Sequence, residues 1–188
     1  IVVFRLKTFQ TNFIDHIPQG YLHLDQTLFF HWIMPIKLSK DEKVILEKMR
    51  SYCMYQERSI QEVKKKLTCL QVISKTKSKI INHLIDNDYL NEVRFAKSFI
   101  QGKLRIKKWG RIKLNYELRI RGVKKFIIDE QINKISNDDY YDYFNEFSNN
   151  KIKILKGSKD QKKRSFINYF TYRGWENNLI YEKLNEIN

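Results

Sequence analysis

The sequence predicts an all-α protein built from tandem three-helix repeats, and three observations predict it. From Ile36 to Asn188 there is no proline, which suits helices joined by short polar turns. Capping-box patterns occur at Ser39-Lys40-Asp41-Glu42 and Ser59-Ile60-Gln61-Glu62, with a weaker one at Ser158-Lys159-Asp160-Gln161. In such a box the serine accepts from the backbone N–H three residues on, and the acid or amide there reaches back. The chain also matches itself. Aligning Arg121-Gly122 on Arg173-Gly174 places Leu114 on Phe166, Leu118 on Phe170, Ile128 on Ile180, Ile132 on Leu184 and Ile135 on Ile187. Val63 and Leu67 hold the equivalent places in a first unit. Positions four apart share a helix face, and a period of about 50 residues indicates units that bury their cores partly against one another.

Bulk composition sets the frame. The chain has 188 residues, 42% hydrophobic and 14% aromatic, with a net charge of +15. That content supports a packed core, and the charge asks for an anionic partner such as nucleic acid, a membrane surface or an acidic protein. Two cysteines, Cys53 and Cys69, are too few for a disulfide framework and lack metal-site spacing, so they read as reduced thiols. No apolar run approaches the roughly 18 residues of a membrane span.

Residues 1–33 differ from the rest. Arg5 and Lys7 balance Asp15 and Asp25 there, so the remainder carries the whole charge. Apolar residues in this stretch hold no period, and a signal-peptide pattern is missing. These residues are read as a leader. Either they are translated upstream sequence, with Met34 the natural initiator, or they form an extension that packs on the body or stays disordered.

The body is expected as three repeats, 34–88, 89–136 and 137–188. In the first, Val44, Ile45, Met49 and Tyr52 follow one cap, and Val63, Leu67 and Leu70 follow the next; Ile80, Ile81, Leu84 and Ile85 make a third helix ending near Asn87-Asp88. The second opens at Tyr89-Leu90 with the stripe Phe95, Ala96, Phe99, Ile100, loosened at Gly102, and a helix from Trp109 to Gly122 follows. In that helix Ile112, Leu114, Tyr116, Leu118 and Ile120 alternate as a strand would. The internal alignment favours a helix instead, with Leu114 and Leu118 inward and Ile112, Tyr116 and Ile120 a second, partly exposed stripe. Ile127, Ile128, Ile132 and Ile135 continue. The third repeat begins at Asp138-Asp139-Tyr140-Tyr141, has Phe144 and Phe147, then Phe166, Ile167 and Phe170, and closes with Leu179, Ile180, Leu184 and Ile187.

At this point the residues resemble the bacterial regulatory protein RecX family. The resemblance lies in Arg58-Ser59 before Glu62-Val63-Lys64-Lys65-Lys66-Leu67, in Asp88-Tyr89-Leu90-Asn91-Glu92-Val93-Arg94-Phe95-Ala96, and in Gly110-Arg111-Ile112 with Glu117-Leu118 and Arg121-Gly122-Val123. It runs from about Glu42 to the C-terminus. Asp88 stands where glycine is usual, Val63 replaces leucine, and Asn91-Glu92-Val93 is less acidic than the pattern. The resemblance implies tandem three-helix repeats in an elongated, curved array, and a cytoplasmic, non-enzymatic protein without cofactor or metal. It further implies binding to RecA recombinase on its nucleoprotein filament, damping of RecA ATPase and strand exchange, and a place in DNA repair, recombination and the SOS response. DNA within the filament is a second expected partner, a membrane is not, and a monomer is expected. The competing reading is a general helical nucleic-acid-binding module with no RecA partner.

Candidate contact residues follow charge. Lys103, Arg105, Lys107, Lys108, Arg111 and Lys113 form a run without an intervening acid, suited to phosphates or an acidic groove. Trp109 inside it either stacks on a base or anchors an interface, or belongs to the core. Arg119 and Arg121 extend the run. Lys162, Lys163 and Arg164 close a second cluster, with Lys151, Lys153, Lys156 and Lys159, that reads as a mobile basic hairpin or loop. Lys64, Lys65 and Lys66 span too much of a turn to share a face and read as solvated. Asp138-Asp139 reads as the favoured first turn of a helix, and His83 as a boundary histidine. The sequence carries no phosphate-binding glycine loop, zinc spacing or nucleophile elbow, so no catalytic residue is assigned.

Overall fold

A computed structural model describes residues 39–187. The 1–33 leader and the proposed initiator Met34 lie outside the described residues. Among these residues are nine α-helices and no strand: α1 (Lys40–Tyr55), α2 (Ile60–Cys69), α3 (Ser74–Asp86), α4 (Glu92–Gly102), α5 (Arg111–Ile120), α6 (Lys125–Asn133), α7 (Asn137–Lys153), α8 (Lys159–Tyr172) and α9 (Asn177–Leu184). One π turn, Lys103–Lys107, follows α4. The helices form three successive trios.

The expected caps start the helices. Ser39 and Glu42, Ser59 and Glu62, and Ser158 and Gln161 each make both bonds of a capping box. Asn91 accepts from the N–H groups of Val93 and Arg94 to start α4. Ser136 caps α7, whose first turn holds Asp138 and Asp139.

The second helix of every trio ends in the same turn. The N–H of Val72 donates to Leu67 O at 3.1 Å, that of Val123 to Leu118 O at 3.2 Å, and that of Trp175 to Phe170 O at 3.1 Å. The residue before each lies in the left-handed region, Gln71 at φ 55°, Gly122 at 75° and Gly174 at 71°. Such a turn satisfies carbonyls that the helix end leaves orphaned, and it delivers a buried side chain: Val72, Val123 or Trp175. Asp88, where the family pattern has glycine, also lies at φ 55°. Aspartate tolerates that region better than most residues, and here Asn91 and Arg94 hold its carboxylate at 3.0 and 2.6 Å. These two bonds, Asn91 first, keep that carboxyl below its usual pKa.

Two cores result. One gathers Leu46, Met49 and Cys53 of α1 with Val63, Leu67, Ile80, Ile81 and Leu84, and is closed by Leu90. The other runs without a break through the second and third trios, from Phe95, Ile100 and Leu104 through Leu114, Leu118 and Ile128 to Phe144, Phe166, Phe170 and Trp175. Cys53 is buried and Cys69 exposed, and both are free. Burial pushes the Cys53 thiol up to about 11.

Several expectations shift. Val44 is 55% exposed, because the buried face of α1 runs through Leu46, Met49 and Cys53 instead. Leu70 and Ile85 also face solvent. The helix expected from Trp109 begins at Arg111. Lys151 to Arg164 is no loose hairpin: α7 extends through Lys153, a short turn follows, and α8 starts at Lys159. α5 is a helix whose strand-like pattern comes from two helical stripes offset by two residues. Leu114 and Leu118 are fully buried, while Ile112, Tyr116 and Ile120 are 57%, 61% and 52% exposed.

Candidate nucleic-acid interface

The basic run acquires its shape from the π turn. Leu104 sits in the core, which fixes the turn from within, while Arg105, Ile106 and Lys107 are exposed. The wider winding ends at Lys108, in the left-handed region at φ 55°. Its N–H donates to Lys103 O, and the Trp109 N–H donates to the same carbonyl at 3.3 Å. π turns of this kind recur at functional sites. Here the result is to turn Trp109 back against α4, half-buried, with its ring 6.2 Å from that of Phe99. Trp109 thus packs, half-buried, against the edge of the core.

Cations gather over this pair of rings. The Lys103 ammonium lies 5.4 Å from the Phe99 centroid and 5.7 Å from that of Trp109. The Lys113 ammonium lies 5.1 Å from Trp109 and 3.9 Å from Tyr172. The Arg121 guanidinium stands 4.8 Å over Phe99 and pairs with Glu117 at 2.6 Å. The structure therefore brings together Lys103, Trp109, Lys113 and Arg121 and adds Phe99 and Tyr172. Ring faces attract cations, so this packing holds four side chains in a fixed order. Lys107 is exposed beside them, and Arg105 and Arg119 are exposed on the same two elements.

Arg111 has a different place. Its guanidinium lies 4.2 Å over the Tyr140 ring and donates to Asn137 Oδ1 at 2.8 Å and to Ile135 O at 3.2 Å. Its backbone N–H donates to Tyr140 Oη at 2.9 Å. Lys108 is half-buried, with its carbonyl accepting from the Trp175 indole at 2.9 Å. Lys162, Lys163 and Arg164 stand on α8, half-buried, half-buried and exposed, and the ring contacts of the first group involve neither Lys163 nor Arg164. A related arrangement recurs there, with Arg173 3.7 Å over Tyr169 and Lys151 4.3 Å from the same ring. In the first trio Arg58 lies 4.1 Å over Tyr52. Charge and spacing alone do not mark Phe99, Tyr172 and Tyr52 as site residues. Phe99 lies four residues before Lys103 and Tyr52 six before Arg58, a local spacing the sequence shows, whereas Tyr172 reaches Lys113 only through the fold.

The junction beside this group is built of backbone. Gly110 N–H donates to Arg173 O at 2.8 Å, and Ile112 N–H to Gly174 O at 3.2 Å. A Cβ on Gly110 would collide with the Gly174 carbonyl, and one on Gly174 with the Lys113 backbone. α5 has no side-chain cap, so the turn of the third trio supplies acceptors for its orphan N–H groups. Tyr140 completes the junction. It stacks on Trp175 with centroids 4.7 Å apart and donates to Glu176 at 2.7 Å. Burial, reinforced by the Glu176 carboxylate, raises its phenol well above the usual range.

Among the described residues, no group of three or more His, Cys, Asp or Glu is placed to hold a metal ion. No helix among them is long and apolar enough to cross a membrane. His83 sits at a boundary, with its Nε2 2.9 Å from the Arg50 guanidinium.

Fold and surface together define a tandem three-helix-repeat protein with cations ordered over aromatic rings. The family model for the second three-helix domain of RecX matches residues 91–131. The regulatory protein RecX of Prosthecochloris aestuarii is 28% identical over 150 residues, covering 78% of this chain and 95% of that protein. That of Clostridium acetobutylicum is 30% identical over 131 residues, covering 67% of this chain and 60% of the relative. The crystal structure of RecX from Lactobacillus salivarius superposes with a TM-score of 0.68 at 20% identity, covering 80% of this chain and 98% of that one. In its second three-helix domain the chain matches the RecX family of regulatory proteins, and it resembles these relatives over most of its length.

Proposed function

We propose that this protein is a cytoplasmic, non-enzymatic regulator of RecA recombinase, binding the RecA nucleoprotein filament and damping its ATPase and strand exchange. Likeness to the RecX family supports the reading, and the observation that carries it is the ordered group Lys103, Trp109, Lys113 and Arg121, with the exposed Lys107 beside it and Arg105 and Arg119 exposed on the same elements. Ordered cations attract phosphates or an acidic protein groove. The neighbouring stripe Ile112, Tyr116 and Ile120 offers apolar area that the internal packing leaves open. Such a surface acts by occupancy and needs no reacting group.

The test is RecA ATPase on single-stranded DNA with and without the protein. Inhibition at stoichiometric amounts is expected, and unchanged turnover rejects the reading. Charge reversal at Arg105, Lys107 and Arg119 weakens binding and lowers its salt slope, by about one for each phosphate no longer neutralised. Unchanged affinity removes that surface from the interface. A general nucleic-acid-binding module is the second reading, favoured by a half-exposed indole between two lysines, the arrangement that stacks on bases. DNA binding without any effect on RecA selects it.

A further inference from the structure

Gly102 is the one glycine among the described residues that neither backbone conformation nor close packing explains. Gly122, Gly157 and Gly174 take positive φ, and Gly110 meets the third trio's backbone. Gly102 ends α4 at φ −65° and ψ −43°, an ordinary helical conformation, and a Cβ added there would meet nothing within 4 Å. Glycine is a poor helix residue, so the fold gains nothing from it at this place. Glycine also serves where a ligand must approach the backbone closely.

Gly102 lines a cleft of about 470 Å³ bordered by α4 and the π turn on one side and by the α1–α2 link and the start of α2 on the other. Beside the glycine, Phe99 is half-buried and Ile106 is 78% exposed. The second trio adds Lys103, Lys107 and Arg121, and the first adds Glu57 and Glu62. Arg121 is paired with Glu117, Glu57 with Arg94, and Glu62 accepts from the Ser59 N–H. That leaves Lys103, held over its two rings, and the exposed Lys107 as the cations open to a ligand.

This mixture of signs discriminates between ligands. A single strand carries a phosphate at every nucleotide, so one crossing the cleft would bring negative charge against Glu57 and Glu62, and like charges in contact are costly. A bare anion would meet the lysines, leave Phe99 and Ile106 uncovered and make no use of Gly102. A protein segment can place an apolar side chain on the glycine and its neighbours, a carboxylate on the lysines, and backbone N–H groups toward the acids.

We propose that this cleft docks a segment of a partner protein, with an apolar side chain over Gly102, Phe99 and Ile106 and a carboxylate on Lys103 and Lys107. The site deepens the RecA reading by setting protein rather than DNA against this face, and rests on that reading only for the partner's identity.

The first arm needs no RecA. The ¹⁵N-labelled full chain is titrated with a pentapeptide of alternating glutamate and leucine, with its counterpart carrying glutamine for glutamate, and with inorganic phosphate. The Gly102 and Ile106 amide resonances are expected to move with the glutamate peptide and not with the other two. Gly102→Leu should keep the fold by circular dichroism and weaken that peptide about tenfold, the loss of one anchoring contact. Gly102→Ala should melt no lower than the parent chain. Equal responses to the two peptides, an equal response to phosphate, or none to any overturns the proposal. So does unchanged peptide binding by the leucine variant or a lowered melting midpoint for the alanine variant. The second arm compares RecA filaments on an oligothymidylate with the bare oligomer. Loss of filament binding by Gly102→Leu, with bare-strand binding kept, assigns the docked segment to RecA. Equal loss of both makes the cleft part of a nucleic-acid surface and overturns the proposal. Failure of the parent chain to bind filaments rejects the RecA reading, and the peptide titration then decides the cleft.

Discussion

The two junctions between trios use the same positions in opposite ways. At the first, α2 begins with Ser59 and caps itself through the Ser59–Glu62 box. The turn of the next trio meets it only through a flexible side chain, with Gly122 against the end of Gln61. Charge supplies the rest, since Arg94 bonds both Glu57 and Asp88. At the second, Gly110 takes the place that Ser59 holds in the first. With no side chain there, the backbone of the third trio approaches until carbonyls at Arg173 and Gly174 bond the start of α5. The first arrangement leaves two cores and the second merges them. One residue's side chain thus separates a junction that side chains negotiate from one that backbone locks.

The largest effect should come from breaking the locked junction. Gly122 and Gly174 have nearly equal φ, 75° and 71°, so an alanine at either carries the same left-handed cost of about 1–2 kcal/mol. At Gly122 the added Cβ meets the movable end of Gln61, and at Gly174 the Lys113 backbone. Gly174→Ala should therefore cost about 3 kcal/mol or more, clearly more than Gly122→Ala. Urea unfolding of both variants checks this, and equal losses remove the backbone lock.

Tyr140→Phe should come next, at about 1–3 kcal/mol, because it leaves the partly buried N–H of Arg111 without its acceptor. It should also change the alkaline limb of the stability curve. The folded state holds the Tyr140 phenol protonated at pH values where the unfolded chain has lost the proton, so the native state binds more protons there. Stability then falls as pH rises above the ordinary tyrosine value of about 10. The phenylalanine variant should lose that part of the slope in melts taken across alkaline pH.

Ser59→Ala tests the self-capped junction and should cost about 1 kcal/mol, measured the same way. Arg94→Met should have the smallest effect, about 1 kcal/mol or less, and high salt should shrink it because the pair is partly exposed. A loss at Arg94 as large as that at Gly174 would put the stronger junction at the wrong place.

Much of this architecture is readable from residues. Ser39, Ser59 and Ser158 each form their box because that bond closes within four residues. The Arg-Gly register places Leu114, Leu118, Phe166, Phe170, Ile128 and Ile180 in the interior, and all six are fully buried. The candidate site is readable as a charge run, and its division is not. Lys103 and Lys113 lie over one indole, whereas Arg111 is committed to Tyr140 and the second junction. Spacing along the chain does not distinguish these outcomes, since a π turn and a left-handed Lys108 intervene and redirect every following side chain. Basic residues from 151 to 164 mislead in the same way. Charge density suggests a loose hairpin, but Phe166, Phe170 and Phe144 carry enough buried area to hold both helices.

By itself, the sequence determined what local bonding and periodicity decide: the three capping-box helix starts, the Arg-Gly register of the second and third repeats, the inward positions those repeats share, and the excess of cations. Tertiary structure decided what depends on approach between distant segments. Gly110 and Gly174 show no pairing until they touch, and Trp109 has no assigned side until Phe99 receives it. Those contacts arise because helices pack by shape and distance, which no spacing along the chain encodes.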